Sequence, residues 1–382
     1  MAQRTYTAEE VFVAVGFPEH TYVSVENGAK EVQLKDGLAQ KNKIISIAGP
    51  SKCGKTTLCD KVFGSQNGQD RLYITGDKIQ KPEDIWVEAY RQATDETAPN
   101  FYELSLTQQL ESILTVELPL IIDDFHYVAR DLQPVICRQL KNAASSGLRI
   151  VCLSVPHRSD DPIRGNPDLS GRFFSIDFNF WDNADLERIA AEGFPKVGYP
   201  SRQWFNSRLA QEALTSPQVM QTLCLEACRM EGPDNALERV EPSEERIPAI
   251  KQLALRSYNN ASALQILKSG PPTRGKGRRR YEMRSPSPDV YLQLDVYKCL
   301  VAALATDPPF QHLSLDELRQ RVQRLLHYDD EPDVHSAVRQ LDKLFNGPNR
   351  PLDWDEEKRL LTVIDPHFYF YLRNCENTAS NS

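Results

Sequence analysis

A glycine-rich loop near the start of the chain carries the residues best suited to chemistry. Residues 49–57 read GPSKCGKTT and follow the apolar run KIISIA. They match the pattern G-x-x-x-x-G-K-[ST], which lies here between a predicted strand and a predicted helix, as that motif requires. Glycine permits backbone angles that aim N–H groups at phosphate oxygens, and the following helix adds the positive end of its dipole. The loop therefore predicts a nucleoside triphosphate site.

The roles expected in this loop follow from side-chain chemistry. The Lys55 ammonium is expected to bridge the β- and γ-phosphates, and the Thr56 hydroxyl is expected to hold Mg²⁺. We therefore predict ATP and Mg²⁺ as cofactors, although the same residues also fit GTP. The predicted nucleotide contacts are Gly49, Ser51, Lys52, Cys53, Gly54, Lys55, Thr56 and Thr57.

A second, acidic element completes the predicted site. Residues 118–126 read LPLIIDDFH, an apolar strand that ends in Asp123 and Asp124. In such a layout the first carboxylate orients Mg²⁺, and the second can polarise the attacking water. We therefore predict that Asp123 serves the metal together with Thr56, and that Asp124 serves the water.

The elements that must position these residues follow from hydrophobic patterning. Five apolar runs alternate with helix-length segments: KIISIAG, RLYIT, LPLIIDDF, LRIVCLSV and FFSIDF. Unbroken apolar strands separated by helices predict a parallel sheet covered on both faces. We therefore expect an α/β P-loop core over residues 1–180, which includes an N-terminal segment. Its helices are predicted over 55–63, 82–93, 104–114 and 132–145.

Residues after position 180 predict a different architecture. Amphipathic patterns predict successive helices, which we group as a helical lid over 181–268. Residues 269–288 are rich in Pro, Gly, Ser and Arg and predict a linker or mobile loop. Residues 289–375 predict three helices and a two-stranded wing, a pattern that resembles a winged helix-turn-helix. The tail, 376–382, is expected to be disordered.

Size, charge and cysteine content limit the class of protein. The chain has 382 residues, a formal net charge of −8 and 40% hydrophobic residues, which is typical of a soluble protein of several domains. It lacks a run of roughly 20 apolar residues and a signal-peptide pattern, so we expect a cytoplasmic protein without membrane contact. The eight cysteines are scattered, which favours buried thiols over a zinc site. Cys224 and Cys228, at helical spacing, leave a metal half-site as the alternative.

With the two motifs in this order, the core resembles the AAA+ and STAND branches of the P-loop nucleoside triphosphatases. Residues 361–374, LTVIDPHFYFYLRN, also resemble the end of the winged-helix domain in prokaryotic STAND ATPases. The resemblance covers nearly the whole chain after position 22. It implies an ATPase that forms homo-oligomers, with slow turnover because Asp124 stands where many hydrolytic relatives have the longer glutamate. Tyr22 or Val23 is expected either to contact the base or to pack in the core.

The resemblance also implies site residues outside the two motifs. Ser154 matches sensor 1, whose hydroxyl contacts the γ-phosphate or the attacking water. Arg172 matches the arginine finger that projects into a neighbouring subunit's site and supplies positive charge there. Ser154 also fits simple strand-end polarity, and Arg172 an ordinary ion pair. Where the family often has a lid arginine this chain has Gln218, with Arg208 as a weaker substitute.

Three functions compete for this predicted site. In the first, ATP binding drives assembly through Arg172 and switches a partner effector protein, with antiviral defence as the setting that the resemblance suggests. In the second, the winged helix and the basic segment hold DNA, as in replication-initiator or transposition-regulator ATPases. The third, a small-molecule kinase, lacks an obvious acceptor site. We favour the first function.

The basic segment is the main support for the second function. Its cations lie beside Tyr281 and one acid, Glu282, so phosphate contact and base stacking are both available. The third helix of the winged domain offers few cations for a major groove, because Asp333 and Asp342 offset them. The arginines also fit a solvated linker. The cations of the segment are Lys268, Arg274, Lys276, Arg278, Arg279, Arg280 and Arg284, and those of the helix are His335, Arg339 and Lys343.

Overall fold

A computed structural model describes nine stretches of the chain, and its contacts divide the chain into two compact units. We call Ser24–Asn179 the P-loop unit, and Met1–Val23 together with Phe180–Ser382 the helical unit. The described residues are 6–64, 70–94, 105–155, 171–230, 241–273, 277–284, 291–328, 331–345 and 350–375. Within them, no helix is long and apolar enough to cross a membrane.

The regular elements are numbered in chain order. The α-helices are α1 (Ala8–Val11), α2 (Ala29–Ala39), α3 (Lys55–Phe63), α4 (Asp84–Thr94), α5 (Leu106–Leu114), α6 (Gln133–Ser145), α7 (Asn183–Lys196), α8 (Gln203–Glu212), α9 (Pro217–Arg229), α10 (Ile247–Leu255), α11 (Ala261–Ser269), α12 (Val296–Ala305), α13 (Leu315–Leu325), α14 (Val334–Leu344) and α15 (Pro366–Asn374). The strands are β1 (Ile44–Ala48), β2 (Leu72–Thr75), β3 (Leu120–Asp123), β4 (Ile150–Ser154), β5 (Phe173–Asp177), β6 (Arg280–Arg284), β7 (Tyr291–Asp295), β8 (His312–Ser314), β9 (Leu352–Asp355) and β10 (Leu360–Val363).

The P-loop unit is built on the parallel sheet that the sequence predicts. Its strand order is β2-β3-β4-β1-β5, and every neighbouring pair is parallel. All residues of β1, β3 and β4 are buried, which explains why these strands are apolar without alternation. The α/β P-loop core is therefore confirmed, and β4 lies between the strand that precedes the glycine-rich loop and the strand that ends in the acidic pair.

Helices cover both faces of this sheet. One apolar cluster joins α4, α5 and α6 to alternate residues of the strands, among them Ile74, Ile122 and Cys152. Helix α2 contacts α3, β1 and β5, and the side chains of Ile45 and Phe174 lie against Gly37 of α2. Four helices fall where the sequence predicts them, with ends shifted by two residues or fewer. Helix α2 was not predicted.

The helical unit contains the N-terminal segment, contrary to the predicted domain of residues 1–180. Helix α1 contacts α9, and Phe12 is 1% exposed and packs edge-on against Phe194 of α7. The Thr21 hydroxyl donates to the Val11 carbonyl at 2.8 Å and accepts from the Gln221 amide at 2.8 Å. Because Phe194 and Gln221 lie about 180 to 200 positions away from their N-terminal partners, local sequence patterns did not indicate this packing.

The C-terminal part of the helical unit has the predicted winged-helix architecture. Helices α12, α13 and α14 contact one another, and β8, β10 and β9 form a three-stranded antiparallel sheet. Strands β9 and β10 are the predicted wing. Helix α13 begins in a capping box, because the Ser314 side chain accepts from the Glu317 N–H and the Glu317 carboxylate accepts from the Ser314 N–H.

The predicted linker, 269–288, is in part a β-ribbon, so that prediction was wrong over Arg280–Arg284. Strand β6 pairs with β7 in antiparallel register, and Met283 also bridges to Leu326 at the end of α13. Tyr281 and Met283 are buried, whereas Arg280 and Arg284 are exposed. This two-residue period is the signal of a half-buried strand, which the arginine-rich composition obscured.

Candidate functional site

The glycine-rich loop follows the carboxyl end of β1 and leads into α3. The Gly49 N–H donates to the Ser154 carbonyl at 3.2 Å, which ties the start of the loop to β4. Gly54 has a φ of 99° and lies at the N-cap of α3, a conformation that a residue with a Cβ rarely adopts. Lys52 also has a positive φ, of 60°. The loop therefore turns sharply into α3, so that the N-terminus of that helix directly follows the loop, as phosphate binding requires.

Lys55 is the first residue of α3, and its side chain reaches back to the start of the loop. Its side chain is almost buried, and the ammonium donates to the Gly49 carbonyl at 2.9 Å and to the Pro50 carbonyl at 2.7 Å. Cys53 is also buried; burial raises the pKa of its thiol, and the neighbouring Lys55 charge lowers it to a smaller extent. The Cys53 thiol is therefore neutral, and the Lys55 ammonium supplies positive charge at this position.

Thr56 and Asp123 meet even though 67 positions separate them. The Thr56 hydroxyl donates to Asp123 Oδ2 at 2.8 Å, and the Asp124 N–H donates to Asp123 Oδ1 at 2.8 Å. Hydroxyl and carboxylate oxygens are the hard donors that Mg²⁺ prefers. These two residues therefore fit the metal that the sequence predicts.

Asp124 lies directly after β3 in a left-handed conformation, with a φ of 52°. Burial, and next the charge of Asp123, raise its pKa to about 6. Its Oδ1 lies 3.9 Å from Nδ1 of His126, and burial lowers the pKa of that imidazole to about 4. The ring is thus neutral near pH 7, and the Val155 N–H points to the same nitrogen at 3.5 Å.

Two further residues lie against the acidic pair, Asp123 and Asp124, and were not predicted. The Tyr73 hydroxyl donates to Asp123 Oδ2 at 2.6 Å, and burial, followed by the Asp123 charge, raises the pKa of the phenol so that it stays a donor. Gly76 follows β2, and a Cβ there would lie 2.3 Å from the Asp124 carbonyl oxygen. The aromatic type of Tyr73 is ordinary for a strand, so its role appears only once β2 is placed beside β3.

Ser154 lies at the carboxyl ends of the strands of the sheet, whereas Arg172 lies at their amino ends. Ser154 is buried at the carboxyl end of β4, opposite Ala48 of β1, so it lies between the two motif-bearing strands. Arg172 precedes β5, and its carbonyl accepts from the Ile44 N–H at 2.9 Å, at the start of β1. The exposed Arg172 guanidinium donates to Ser145 Oγ at 3.3 Å. The five residues of β1 separate the glycine-rich loop from Arg172 by about 16 Å, so Arg172 lies at the opposite end of β1 from its own loop.

The residues predicted for base contact and for a lid arginine lie in the helical unit. Val23 is 3% exposed in the apolar core of that unit, and Tyr22 stacks on Phe17. Arg208 is paired with Glu212 at 2.8 Å and with Glu244 at 3.6 Å. The packing alternative holds for Val23.

Two further predictions concern the helical unit: Gln218 at the position of a lid arginine, and a metal half-site at Cys224 and Cys228. Gln218 lies in the first turn of α9, where its carbonyl accepts from the Thr222 hydroxyl. All eight cysteines are free thiols. Across the part of the chain that is described, no three His, Cys, Asp or Glu residues cluster in a way that could hold a metal ion, so a site at Cys224 and Cys228 finds no further ligands there.

The arginines of the basic segment have different surroundings. Arg278 donates to the Ser269 carbonyl at 2.6 Å, pairs with Asp295 at 3.1 Å and lies 4.5 Å over the Tyr297 ring. Arg279 lies over the Tyr281 ring, and Arg280 and Arg284 are exposed on β6. Arg278 is therefore a structural residue. Arg274 and Lys276 lie outside the described residues.

Two basic side chains on the third helix of the winged domain lie beside an acid. On the wing turn, Glu356 Oε1 lies 3.3 Å from Nε2 of His335, and its Oε2 lies 3.3 Å from Nε of Arg339. The Trp354 indole also donates to Glu356 at 2.7 Å. Helix α14 therefore offers less positive charge to a nucleic acid than its sequence suggests.

Comparison with known proteins gives similarity in fold. No protein-family model matches the chain, and no curated protein matches its sequence. Among solved structures, a Walker-type ATPase of Pyrococcus abyssi is 12% identical, with 97% of this chain and 98% of that chain covered and a TM-score of 0.54. Cdc6p from Pyrobaculum aerophilum (15% identity, 96% and 97% covered) has a TM-score of 0.47. The Orc1 protein of Aeropyrum pernix, solved in complex with DNA (12% identity, 96% of each chain covered), has a TM-score of 0.49. From the first of these, the chain has the fold of a Walker-type ATPase.

Proposed function

We propose that this chain binds ATP with Mg²⁺ and hydrolyses it. The observation that carries the proposal is the hydrogen bond between Thr56 of the glycine-rich loop and Asp123 of β3. It brings together two motifs that are far apart in sequence, at the place where a P-loop protein holds its metal and phosphates. The Walker-type fold supports the same conclusion.

The residues of the chain have distinct roles in this proposal. Backbone N–H groups of the loop and the N-terminus of α3 bind phosphate oxygens, and the Lys55 ammonium binds the β- and γ-phosphates. Thr56 and Asp123 hold the metal, which when bound neutralises charge that develops on the transferred phosphoryl group. Asp124 lies beyond the end of β3, where its carboxylate can accept a proton from the attacking water.

We further propose that the ATPase is an oligomeric switch in which Arg172 completes the site of a neighbouring copy. Arg172 is exposed at the amino end of β5, whereas its own loop follows the carboxyl end of β1. In this proposal it therefore reaches a nucleotide through another copy of the chain. Such an arginine contributes positive charge during phosphoryl transfer only after assembly. The assembly would then control a partner effector protein; bacterial antiviral defence is the setting that the STAND resemblance suggests, and a cytoplasmic location goes with it.

The test compares ATP binding, hydrolysis rate and mass in solution for four variants and the parent. Lys55→Ala is expected to weaken binding at least tenfold, Asp124→Asn to retain binding with slow hydrolysis, and Arg172→Ala to retain binding while hydrolysis falls at least a hundredfold. Arg138→Ala removes an exposed arginine of α6 in the same unit and is the control. A monomeric parent in ATP, together with parental hydrolysis by Arg172→Ala, contradicts the intersubunit site.

A second candidate function, binding of nucleic acid, is favoured by one observation. Arg280 and Arg284 are exposed on the same face of β6, with Glu282 between them, and a row of cations on a ribbon can contact a phosphate backbone. The test is duplex binding over a salt series with Arg280→Ala and Arg284→Ala. A shallower salt dependence in the variants supports this function, and unchanged or absent binding supports the protein-partner switch.

A further inference from the structure

Tyr73 connects strand β2 to the acidic end of strand β3. In the parallel register, Tyr73 is opposite Ile121, and Thr75 is opposite Asp123. Residues two positions apart in a strand share a face and are separated by about 6.6 Å. A tyrosine side chain is long enough to span that offset, and its hydroxyl lies 2.6 Å from Asp123 Oδ2. Threonine or serine at this position would be too short to reach the carboxylate.

The backbone of Tyr73 is fixed from the other side. Strand β2 is at the edge of the sheet, where the outward N–H and C=O groups of a strand lack a neighbouring strand. The Gln92 side chain of α4 takes that place, since its Oε1 accepts from the Tyr73 N–H at 2.7 Å and its Nε2 donates to the Tyr73 carbonyl at 2.8 Å. Glu88 in turn accepts from Gln92 Nε2 at 2.7 Å. The backbone that carries the phenol side chain is therefore held in place.

Three donors hold the Asp123 carboxylate, and they differ in how they depend on the nucleotide. The Asp124 N–H binds Oδ1, whereas the hydroxyls of Thr56 and Tyr73 both bind Oδ2. The Thr56 hydroxyl belongs to the loop and is the group expected to bind the metal. The Tyr73 hydroxyl belongs to the sheet, so it can keep Oδ2 in place while Thr56 serves the metal.

We propose that Tyr73 is a positioning residue for Mg²⁺: it orients the Asp123 carboxylate, and Gln92 holds Tyr73 in place for that task. The inference rests on the proposed ATP site and adds to it a device outside both motifs. Its specific consequence concerns the metal. Loss of the phenol hydroxyl should weaken the contribution of Mg²⁺ to nucleotide binding, whereas contacts between the loop and the phosphates should remain.

The test is calorimetry of a non-hydrolysable ATP analogue binding to the full chain, with Mg²⁺ and with EDTA. For Tyr73→Phe, affinity in EDTA should stay within twofold of the parent, and the gain in affinity on adding Mg²⁺ should fall about tenfold, the size of one hydrogen bond to a charged group. Tyr369→Phe removes a hydroxyl that accepts from the Phe310 N–H in the helical unit, and it should leave both affinities unchanged.

Gln92→Leu is the second variant, because leucine has a similar size and can neither donate nor accept. It should lower the Mg²⁺ gain in the same direction, about threefold, since the phenol is retained but less firmly held. A Tyr73→Phe chain with the parental Mg²⁺ gain overturns this inference alone. A parent that binds the analogue in neither condition overturns the proposed function, and the inference with it.

Discussion

Replacement of Arg278 by alanine should destabilise the helical unit. The side chains of Arg278 and Asp295 are 21% and 18% exposed and lie 3.1 Å apart. The same guanidinium donates to the carbonyls of Ser269 and Pro271 and lies 4.5 Å over the Tyr297 ring. Charge-assisted hydrogen bonds contribute about 1.5–3 kcal/mol and a cation–π contact about 0.5–2 kcal/mol. Because these contacts share one side chain, we expect a total loss of about 2–4 kcal/mol.

The assay is urea denaturation followed by tryptophan fluorescence. Three of the four tryptophans, Trp181, Trp204 and Trp354, lie in the helical unit, so the signal reports mainly on that unit. Arg280→Ala is the control, since it removes an exposed arginine two positions away on β6. We expect its free energy of unfolding to stay within about 0.5 kcal/mol of the parent.

The result has a functional meaning as well. If Arg278→Ala unfolds with the parental midpoint and slope, the reasoning that makes Arg278 structural is refuted. A selective loss of nucleic-acid affinity in a fully stable Arg278→Ala protein would instead place this arginine among the phosphate contacts. We expect the opposite pattern, in which stability falls and Arg280 and Arg284, rather than Arg278, contact phosphate.

Three other changes test separate parts of the account. Phe12→Ala should lower the free energy of unfolding by about 3–5 kcal/mol in the same denaturation assay, because Phe12 is 1% exposed in the helical unit; a loss below 1 kcal/mol contradicts that placement. Ser314→Ala should cost about 1 kcal/mol by loss of the helix cap, and an unchanged melting curve argues against the capping box. Glu356→Gln should tighten duplex binding about threefold at low salt, because Arg339 loses its acidic partner; equal or weaker binding in a titration refutes this electrostatic role.

The part of the fold most open to prediction was the P-loop sheet. Its strands are buried along their whole length, so each appears in the sequence as an unbroken apolar run between helices. The loop of residues 49–57 and the acidic pair were equally visible, since each motif is contiguous. The complete order of the strands was not predicted, because it depends on pairings between residues far apart in the chain.

The unpredicted parts of the site depend on neighbouring strands. Tyr73 is an ordinary strand residue until the register brings its hydroxyl to Asp123. The β-ribbon was missed because arginines alternate with Tyr281 and Met283, and their composition resembles that of a linker. The N-terminal segment was assigned to the wrong unit, since its partners on α7 and α9 come much later in sequence.

Titration of ATP into the purified chain by calorimetry tests the central claim most directly. We expect one site per chain that requires Lys55, so that Lys55→Ala binds at least tenfold more weakly while Lys61→Ala, on the exposed side of the same helix, binds as the parent does. Absence of binding by the parent to any purine triphosphate, or equal affinity of the parent and Lys55→Ala, would contradict that claim.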